Sequence, residues 1–262
     1  MVNIDQTSRN LTADDIAIEF KEVSLAIPVS GLAKTSIAKA FINSAVGGDL
    51  KSWKSRPYVN ALVGINIKIN SGDRLGILGH NGSGKSTFLR LASNIYKPTT
   101  GKIYRAVKVH PMINKSFPTS PDLSGYDAAK GSYLLLHYSL DGFDEYIEEV
   151  INFSGIGDFI HLPVKTYSEG MCSRLLFSIL TSNSHECLAM DETFGTGDQD
   201  FYDKASHRLE SFINNSGTLL LASHSESLLT RFCQRGIVLS KGQIVYEGTI
   251  QKSIDFYHDS RH

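Results

Sequence analysis

Residues 75–87 read Leu75-Gly76-Ile77-Leu78-Gly79-His80-Asn81-Gly82-Ser83-Gly84-Lys85-Ser86-Thr87, which is a short apolar run, a glycine-rich turn and the start of a second apolar stretch. The turn fits the pattern G-x-x-x-x-G-K-[ST] and has the expected flanks on both sides. The glycines at 79, 82 and 84 admit backbone conformations that other residues avoid, so successive amide groups converge on one anion. The stretch therefore predicts a phosphate-binding loop between a strand and a helix. The alternative is a turn of the same shape without a ligand, because a short pattern also arises by chance.

The residues of this loop have distinct expected contacts. The helix that begins near Lys85 aims its unpaired amide groups and the positive end of its dipole at the same anion. Lys85 is expected to bridge the β- and γ-phosphates of a nucleotide, and the Ser86 hydroxyl is expected to hold Mg²⁺. His80 is expected to offer only its backbone. The residues predicted to surround the phosphates are Gly79, His80, Asn81, Gly82, Ser83, Gly84, Lys85, Ser86 and Thr87.

The composition is that of a globular protein with one sizeable core or two modest lobes. The chain has 262 residues, of which 41% are hydrophobic and 20% charged. Its formal net charge is -1, so no global basic field recruits nucleic acid or anionic lipid. No apolar run approaches the ~18 residues of a spanning helix, and the N-terminus lacks a signal-peptide pattern. We therefore expect a cytoplasmic chain, with Cys172, Cys187 and Cys233 as reduced and buried thiols.

The apolar segments predict an α/β core with additions. Alternation over 16–23 and 58–70 predicts half-buried strands, whereas the runs 187–190, 219–223 and 236–240 are typical of parallel strands covered on both faces. Apolar residues recur at helical spacing from Tyr126 through Phe153, which predicts a helical subdomain inserted into the core. Residues 31–56 are expected to contain a short amphipathic helix, and about 250–258 to form a closing helix.

Two acids follow a buried apolar run at Asp191 and Glu192. Ligands gather at the carboxyl ends of the strands in open α/β sheets, and successive residues there point in different directions. Asp191 is expected to hold the Mg²⁺ shell, and Glu192 to orient and deprotonate the attacking water. The alternative is ordinary surface charge at a strand end.

His224 ends another apolar strand at the same predicted edge of the sheet. It is expected to hydrogen-bond the γ-phosphate and the attacking water, although a lone histidine at a strand end also has a purely structural interpretation. A second candidate for phosphate contact is the stretch Tyr167–Met171, which precedes a helical run. Ser168 is placed as a helix N-cap, and Gly170 lets backbone approach a ligand. A turn that merely caps a buried helix is the alternative.

Taken in order, five motifs resemble the Walker A, signature, Walker B, D-loop and H-loop motifs of an ABC-type ATPase. They are Gly79–Thr87, Tyr167–Met171, Leu188–Glu192, Gly195–Asp198 and Ser223–His224. Within that superfamily, Tyr-Ser-x-Gly-Met at 167–171 and Pro-Asp-Leu-Ser-Gly at 121–125 look like the polysaccharide exporters. These are the ATPases of O-antigen, capsule and teichoic-acid transporters.

The resemblance implies one α/β domain over residues 1–262: a P-loop ABC-type ATPase with a RecA-like parallel-sheet core, an antiparallel β subdomain and a helical subdomain at about 124–182. It implies ATP, Mg²⁺ and a homodimer, in which each ATP lies between Gly79–Ser86 of one copy and Ser168–Met171 of the other. It further implies that the chain works with two copies of a membrane permease at the cytoplasmic face of the inner membrane. The complex is expected to export a lipid-linked polysaccharide, and nucleic acid is not an expected partner. Because the chain stops at His262, we expect no C-terminal carbohydrate-binding domain.

Three positions depart from the common family pattern. Asn114 stands closest to the usual glutamine that reaches Mg²⁺ or water, and Glu169 and Met171 replace the usual signature residues, so phosphate contact falls to Ser168 and the Gly170 backbone. Tyr58 is the candidate for stacking on adenine, with a plain surface tyrosine as the alternative.

Other functions stay open at this point. An ABC exporter of a non-glycan substrate has the same motifs. A soluble ABC-type ATPase acting on nucleic acid or ribosomes usually carries tandem units or long coiled-coil insertions, whereas this chain has one copy of each motif. A nucleotide-binding interaction module without turnover is disfavoured by the presence of Lys85, Glu192 and His224.

Overall fold

A computed structural model describes residues 16–28, 50–53, 56–113, 120–183, 185–191 and 199–260. Several predicted features lie outside these ranges. They are most of the stretch 31–56 with its predicted helix, the candidate ligand Asn114, the candidate base Glu192 and the stretch Gly195–Asp198.

The N-terminal part of the chain forms a four-stranded antiparallel sheet. Its order is β2-β3-β1-β5, and its strands are β1 (Ile16–Pro28), β2 (Leu50–Trp53), β3 (Arg56–Asn70) and β5 (Thr100–Arg105). Side chains alternate along β1 and β3, and the apolar ones face the protein interior, where Phe20 stacks on Phe88 with ring centroids 4.7 Å apart. The predicted antiparallel subdomain is therefore present.

A second sheet of six strands carries the core. Its order is β10-β9-β4-β8-β7-β6, and its strands are β4 (Arg74–Leu78), β6 (Val109–Met112), β7 (Cys187–Asp191), β8 (Thr218–Ala222), β9 (Arg235–Ser240) and β10 (Gln243–Thr249). All neighbours are parallel except β10, which runs antiparallel to β9. Ala222 pairs with both Ile77 and Asp191, so the carboxyl ends of β4, β8 and β7 lie side by side at one edge.

Seven α-helices are present in the described part of the chain. They are α1 (Lys85–Ala92), α2 (Gly125–His137), α3 (Phe143–Ser154), α4 (Glu169–Thr181), α5 (Gln199–Asn215), α6 (Glu226–Phe232) and α7 (Ile250–Asp259). None of the described helices is long and apolar enough to cross a membrane. The last of them, α7, agrees with the closing helix expected at about 250–258.

The helical subdomain contains α2, α3 and α4 around its own apolar core, which includes Tyr133, Val150 and Leu175. The predicted helical subdomain is therefore present, and residues 138–142 separate its first two helices. Tyr138 ends α2 in a left-handed conformation with φ of 56°, and the left-handed Gly142 with φ of 78° precedes α3. Apolar spacing did not reveal this break, because both helices present the same kind of face to one core.

The cysteine prediction is correct for two of the three residues. Cys187 on β7 and Cys233 after α6 are buried, and burial raises the pKa of each thiol to about 12. Cys172 is only half-buried in the first turn of α4, so the expectation that it is buried was wrong. It packs at the margin of the apolar core of the helical subdomain, which covers it only in part.

Candidate active site

The glycine-rich turn leaves β4 and enters α1 through residues 79–84. Gly79, Gly82 and Gly84 have φ values of 147°, 78° and 109°, in the left-handed region that favours glycine. Gly84 is the N-cap of α1 and supplies no side-chain cap, so the first amide groups of the helix face the turn. The predicted loop geometry is present, and it suits an anion.

Strand β3 and the hairpin of β9 and β10 pack closely against this loop. A Cβ atom on Gly79 would lie 2.4 Å from the Leu239 carbonyl oxygen, and one on Gly84 would lie 2.9 Å from the Ala61 carbonyl oxygen. The Gly242 amide, in the turn between β9 and β10, donates to the Ser83 carbonyl at 3.0 Å. The loop is therefore braced by β3 on one side and by the β9–β10 hairpin on the other.

Lys85 lies on the inside of the loop and is only 9% exposed. Its ammonium group donates to the carbonyl oxygens of Gly79 at 2.6 Å and His80 at 3.2 Å. The Ser83 hydroxyl is buried nearby and has no hydrogen-bond partner among the described residues. A buried hydroxyl donor, a lysine and a row of helix-start amides together fit a polyphosphate group.

Ser86 connects α1 to the end of β7. Its hydroxyl donates to Asp191 Oδ2 at 2.5 Å, so the two predicted Mg²⁺ ligands are in direct contact. Hydroxyl and carboxylate oxygens are the donor types that Mg²⁺ prefers. No group of three or more His, Cys, Asp or Glu side chains within the described residues could hold a metal ion. A cation here would need phosphate and water oxygens besides these two, as Mg²⁺ commonly does.

His224 lies two residues beyond β8 and reaches the same loop. Its Nε2 atom is 3.3 Å from Lys85 Nζ and 3.1 Å from Asn81 Oδ1. A neutral imidazole nitrogen either accepts from the lysine or donates to the asparagine, so the tautomer decides which contact is a hydrogen bond. His224 therefore lies beside the phosphate loop, and its contact with a γ-phosphate stays a prediction.

The second predicted phosphate motif forms the start of α4. Ser168 is the N-cap, as predicted, and its hydroxyl accepts from the Met171 amide at 3.2 Å. A Cβ atom on Gly170 would approach only Ser168 Oγ, at 3.9 Å, so the space beside this glycine is open. Ser168 is exposed, and the helix start is accessible to another molecule.

Tyr58 lies on β3, where it pairs with Pro28 of β1 and Lys51 of β2. It is half-buried and precedes Ala61, the residue that contacts the loop at Gly84, by three positions. Three residues of strand span about 10 Å, so Tyr58 lies about that far along β3 from Ala61.

Sequence reasoning missed two supports of the loop. The 3.1 Å contact between His224 Nε2 and Asn81 Oδ1 joins two motifs that were interpreted separately. Tyr257 of α7 packs its ring against His80, with centroids 5.2 Å apart. No local pattern around Tyr257 indicates this contact. The Lys241-Gly242 turn, whose Gly242 amide supports the loop at Ser83, was by contrast predictable as a turn.

The sequence pattern of the ABC transporter family matches residues 62–195, which include the phosphate loop, the α4 start and Asp191. The chain belongs to the ABC transporter family. The O-antigen export system ATP-binding protein RfbE of Yersinia enterocolitica is 38% identical over 229 residues, covering 87% of this chain and 95% of that protein. The capsule polysaccharide export ATP-binding protein CtrD of Neisseria meningitidis serogroup B is 32% identical over 194 residues, covering 74% and 88%.

The fold agrees with solved ABC cassettes. The dimeric post-hydrolysis structure of the ATP-binding cassette MJ0796 bound to ADP and phosphate superposes with a TM-score of 0.64 at 18% identity, covering 89% of this chain and 98% of that one. Family membership confirms the predicted α/β ATPase fold and the predicted enzyme class, an ATP-binding ATPase of an ABC transporter.

Proposed function

We propose that this chain is the ATP-hydrolysing subunit of an ABC exporter that moves a lipid-linked polysaccharide across the cytoplasmic membrane. The observation that carries the ATPase part is the meeting of Lys85, Asp191 and His224 around one glycine loop, although they come from three separate segments. The substrate class is supported by relatives, which are named for export of O-antigen, capsule polysaccharide and teichoic acids.

The residues of the site divide the chemistry. Lys85 and the α1 amides bind the β- and γ-phosphates of ATP, and the Ser83 hydroxyl donates to the same group. Ser86 and Asp191 hold Mg²⁺, together with Asn114, and the cation neutralises charge on the phosphates when bound. Glu192, the next residue after Asp191, orients and deprotonates the attacking water, and His224 hydrogen-bonds the γ-phosphate.

A second copy of the chain completes each site. The exposed start of α4, with Ser168, Gly170 and Met171, contacts the γ-phosphate held by the other copy, and Tyr58 stacks on the adenine. ATP binding closes this homodimer and hydrolysis releases it, which drives two copies of a membrane permease. The chain then works at the cytoplasmic face of the inner membrane as a peripheral subunit.

The catalytic part is tested with Glu192→Gln. Removal of a positioned general base should lower the turnover of ATP by about 10²- to 10⁴-fold, because base catalysis contributes that much. ATP binding, measured by calorimetry, should persist. Glu186→Gln is the matched control, since Glu186 is an exposed acid at the opposite end of β7. Turnover in the Glu192 variant within a few-fold of the control would remove Glu192 from this role.

The transport part is tested in the native host. Loss of this chain should leave lipid-linked polysaccharide on the cytoplasmic side, measured by extraction of the glycan and by its absence from the cell surface. The Glu186→Gln chain should restore surface glycan, whereas the Glu192→Gln chain should not. Normal surface glycan in a strain that lacks the chain would contradict export of a polysaccharide.

A further inference from the structure

The helix α7 packs against the strands that lead to the phosphate loop. A Cβ atom on Gly76 of β4 would lie 2.6 Å from Ile250 Cδ1, and one on Gly236 of β9 would lie 2.7 Å from Ser253 Oγ. Both strands therefore carry glycine where α7 crosses them, and the helix lies close to their backbones. Leu78, the last residue before the loop, shares an apolar cluster with Ile254 and Tyr257.

One contact of α7 reaches the loop itself. The ring of Tyr257 is 7% exposed and lies 5.2 Å from the ring of His80, at an interplanar angle of 50°. His80 follows the first glycine of the loop and is itself an exposed residue. The ring of Tyr257 on α7 thus packs against the His80 side chain.

The backbone carbonyl group of His80 accepts two hydrogen bonds within the loop. Its carbonyl oxygen accepts from Lys85 Nζ at 3.2 Å and from the Ser83 amide at 3.1 Å. The orientation of this peptide group therefore affects both the lysine and the turn. A side chain held against a buried ring restricts the backbone rotation of its residue, whereas an unsupported side chain on an exposed loop does not.

We propose that Tyr257 is a positioning residue for ATP binding. Its ring packs against the His80 side chain and thereby orients the His80 carbonyl oxygen, which accepts a hydrogen bond from Lys85 Nζ. This inference rests on the proposed function, because it assumes that the loop binds ATP. It assigns to α7 a role in the nucleotide site, although α7 lies outside the motifs that mark that site.

The test compares Tyr257→Ala with two matched variants of the full chain. Tyr257→Phe keeps the ring, and Ile254→Ala removes a side chain that is 4% exposed on the same helix, without the contact to His80. An aromatic pair contributes enough to change an affinity by about 2- to 12-fold. We expect Tyr257→Ala to raise the KM and the calorimetric Kd for ATP by that factor, with kcat within about twofold.

Tyr257→Phe should keep the wild-type KM, and Ile254→Ala should keep it while lowering the thermal midpoint. The inference is overturned if Ile254→Ala raises KM as much as Tyr257→Ala, or if Tyr257→Phe behaves like Tyr257→Ala. His80→Ala leaves α7 intact and provides the test if Tyr257→Ala does not fold. It should raise KM by the same factor, and the double variant should be no worse than either single one.

Failure of this inference and failure of the proposed function give different results. Calorimetric ATP binding by the wild-type chain tests the site itself and does not depend on Tyr257. Wild-type ATP binding with no effect at Tyr257 overturns only the positioning role, whereas absence of ATP binding overturns both.

Discussion

The half-buried imidazole of His110, whose Nε2 atom is fully buried, makes the stability of this protein depend on pH in a defined direction. His110 lies on β6 and stacks on His185, with ring centroids 3.7 Å apart and an interplanar angle of 9°. Burial, then the nearby His185 and Lys108, lowers the pKa of His110 to about 3. Its Nε2 atom is buried without a hydrogen-bond partner among the described residues, so a proton placed there has no acceptor.

The direction of this pH dependence follows from the number of protons that the folded and the unfolded chain bind. An unfolded histidine has a pKa of about 6.5, so below that pH the unfolded chain binds a proton that the folded chain does not. The free energy of unfolding therefore falls as the pH drops through 6.5, and this loss continues to about pH 3, the folded pKa. Between pH 7 and pH 5 the contribution of His110 is about 2 kcal/mol.

The perturbation is His110→Phe, which keeps a stacking ring and removes the titrating group. The assay is urea unfolding followed by circular dichroism at pH 7, 6 and 5. The variant should lose about 2 kcal/mol less stability than the wild type across this range. His207→Gln, at an exposed position on α5, is the control and should follow the wild-type curve. An acid-dependent loss in His110→Phe as large as that of the wild type would refute the reasoning.

Two further predictions concern the site. Gly79→Ala places a Cβ atom 2.4 Å from the Leu239 carbonyl and should lower the free energy of unfolding by about 3 kcal/mol and abolish calorimetric ATP binding. Gly64→Ala is its control, because that glycine also has positive φ but no atom within 4 Å, and it should cost only about 1 kcal/mol. Asp191→Asn keeps an acceptor for Ser86 but loses the charge, so the Mg²⁺ concentration for half-maximal ATPase activity should rise about tenfold or more. An unchanged Mg²⁺ curve would contradict metal binding by Asp191.

The local parts of the site were predictable because each depends on residues that are close in the chain. The apolar run at 75–78, the three glycines and Lys85 specify a strand, a left-handed turn and a helix start, and the φ values of the glycines agree. Ser168 was predicted as an N-cap for the same reason. The turn at 138–142 between α2 and α3 was not located from the sequence, because apolar residues continue into it at Leu140, although Asp141-Gly142 is a dipeptide typical of turns.

The sequence by itself determined the motifs, the two kinds of sheet and the edge at which the strand ends gather, because hydrophobic period and turn chemistry act over a few residues. Only the tertiary structure decided that β8 lies between β4 and β7, which brings His224 to Lys85 and Asp191 to Ser86. It also decided that Tyr257 meets His80. These contacts join segments far apart in the chain, and they depend on strand order and on how α7 packs, which no local pattern encodes.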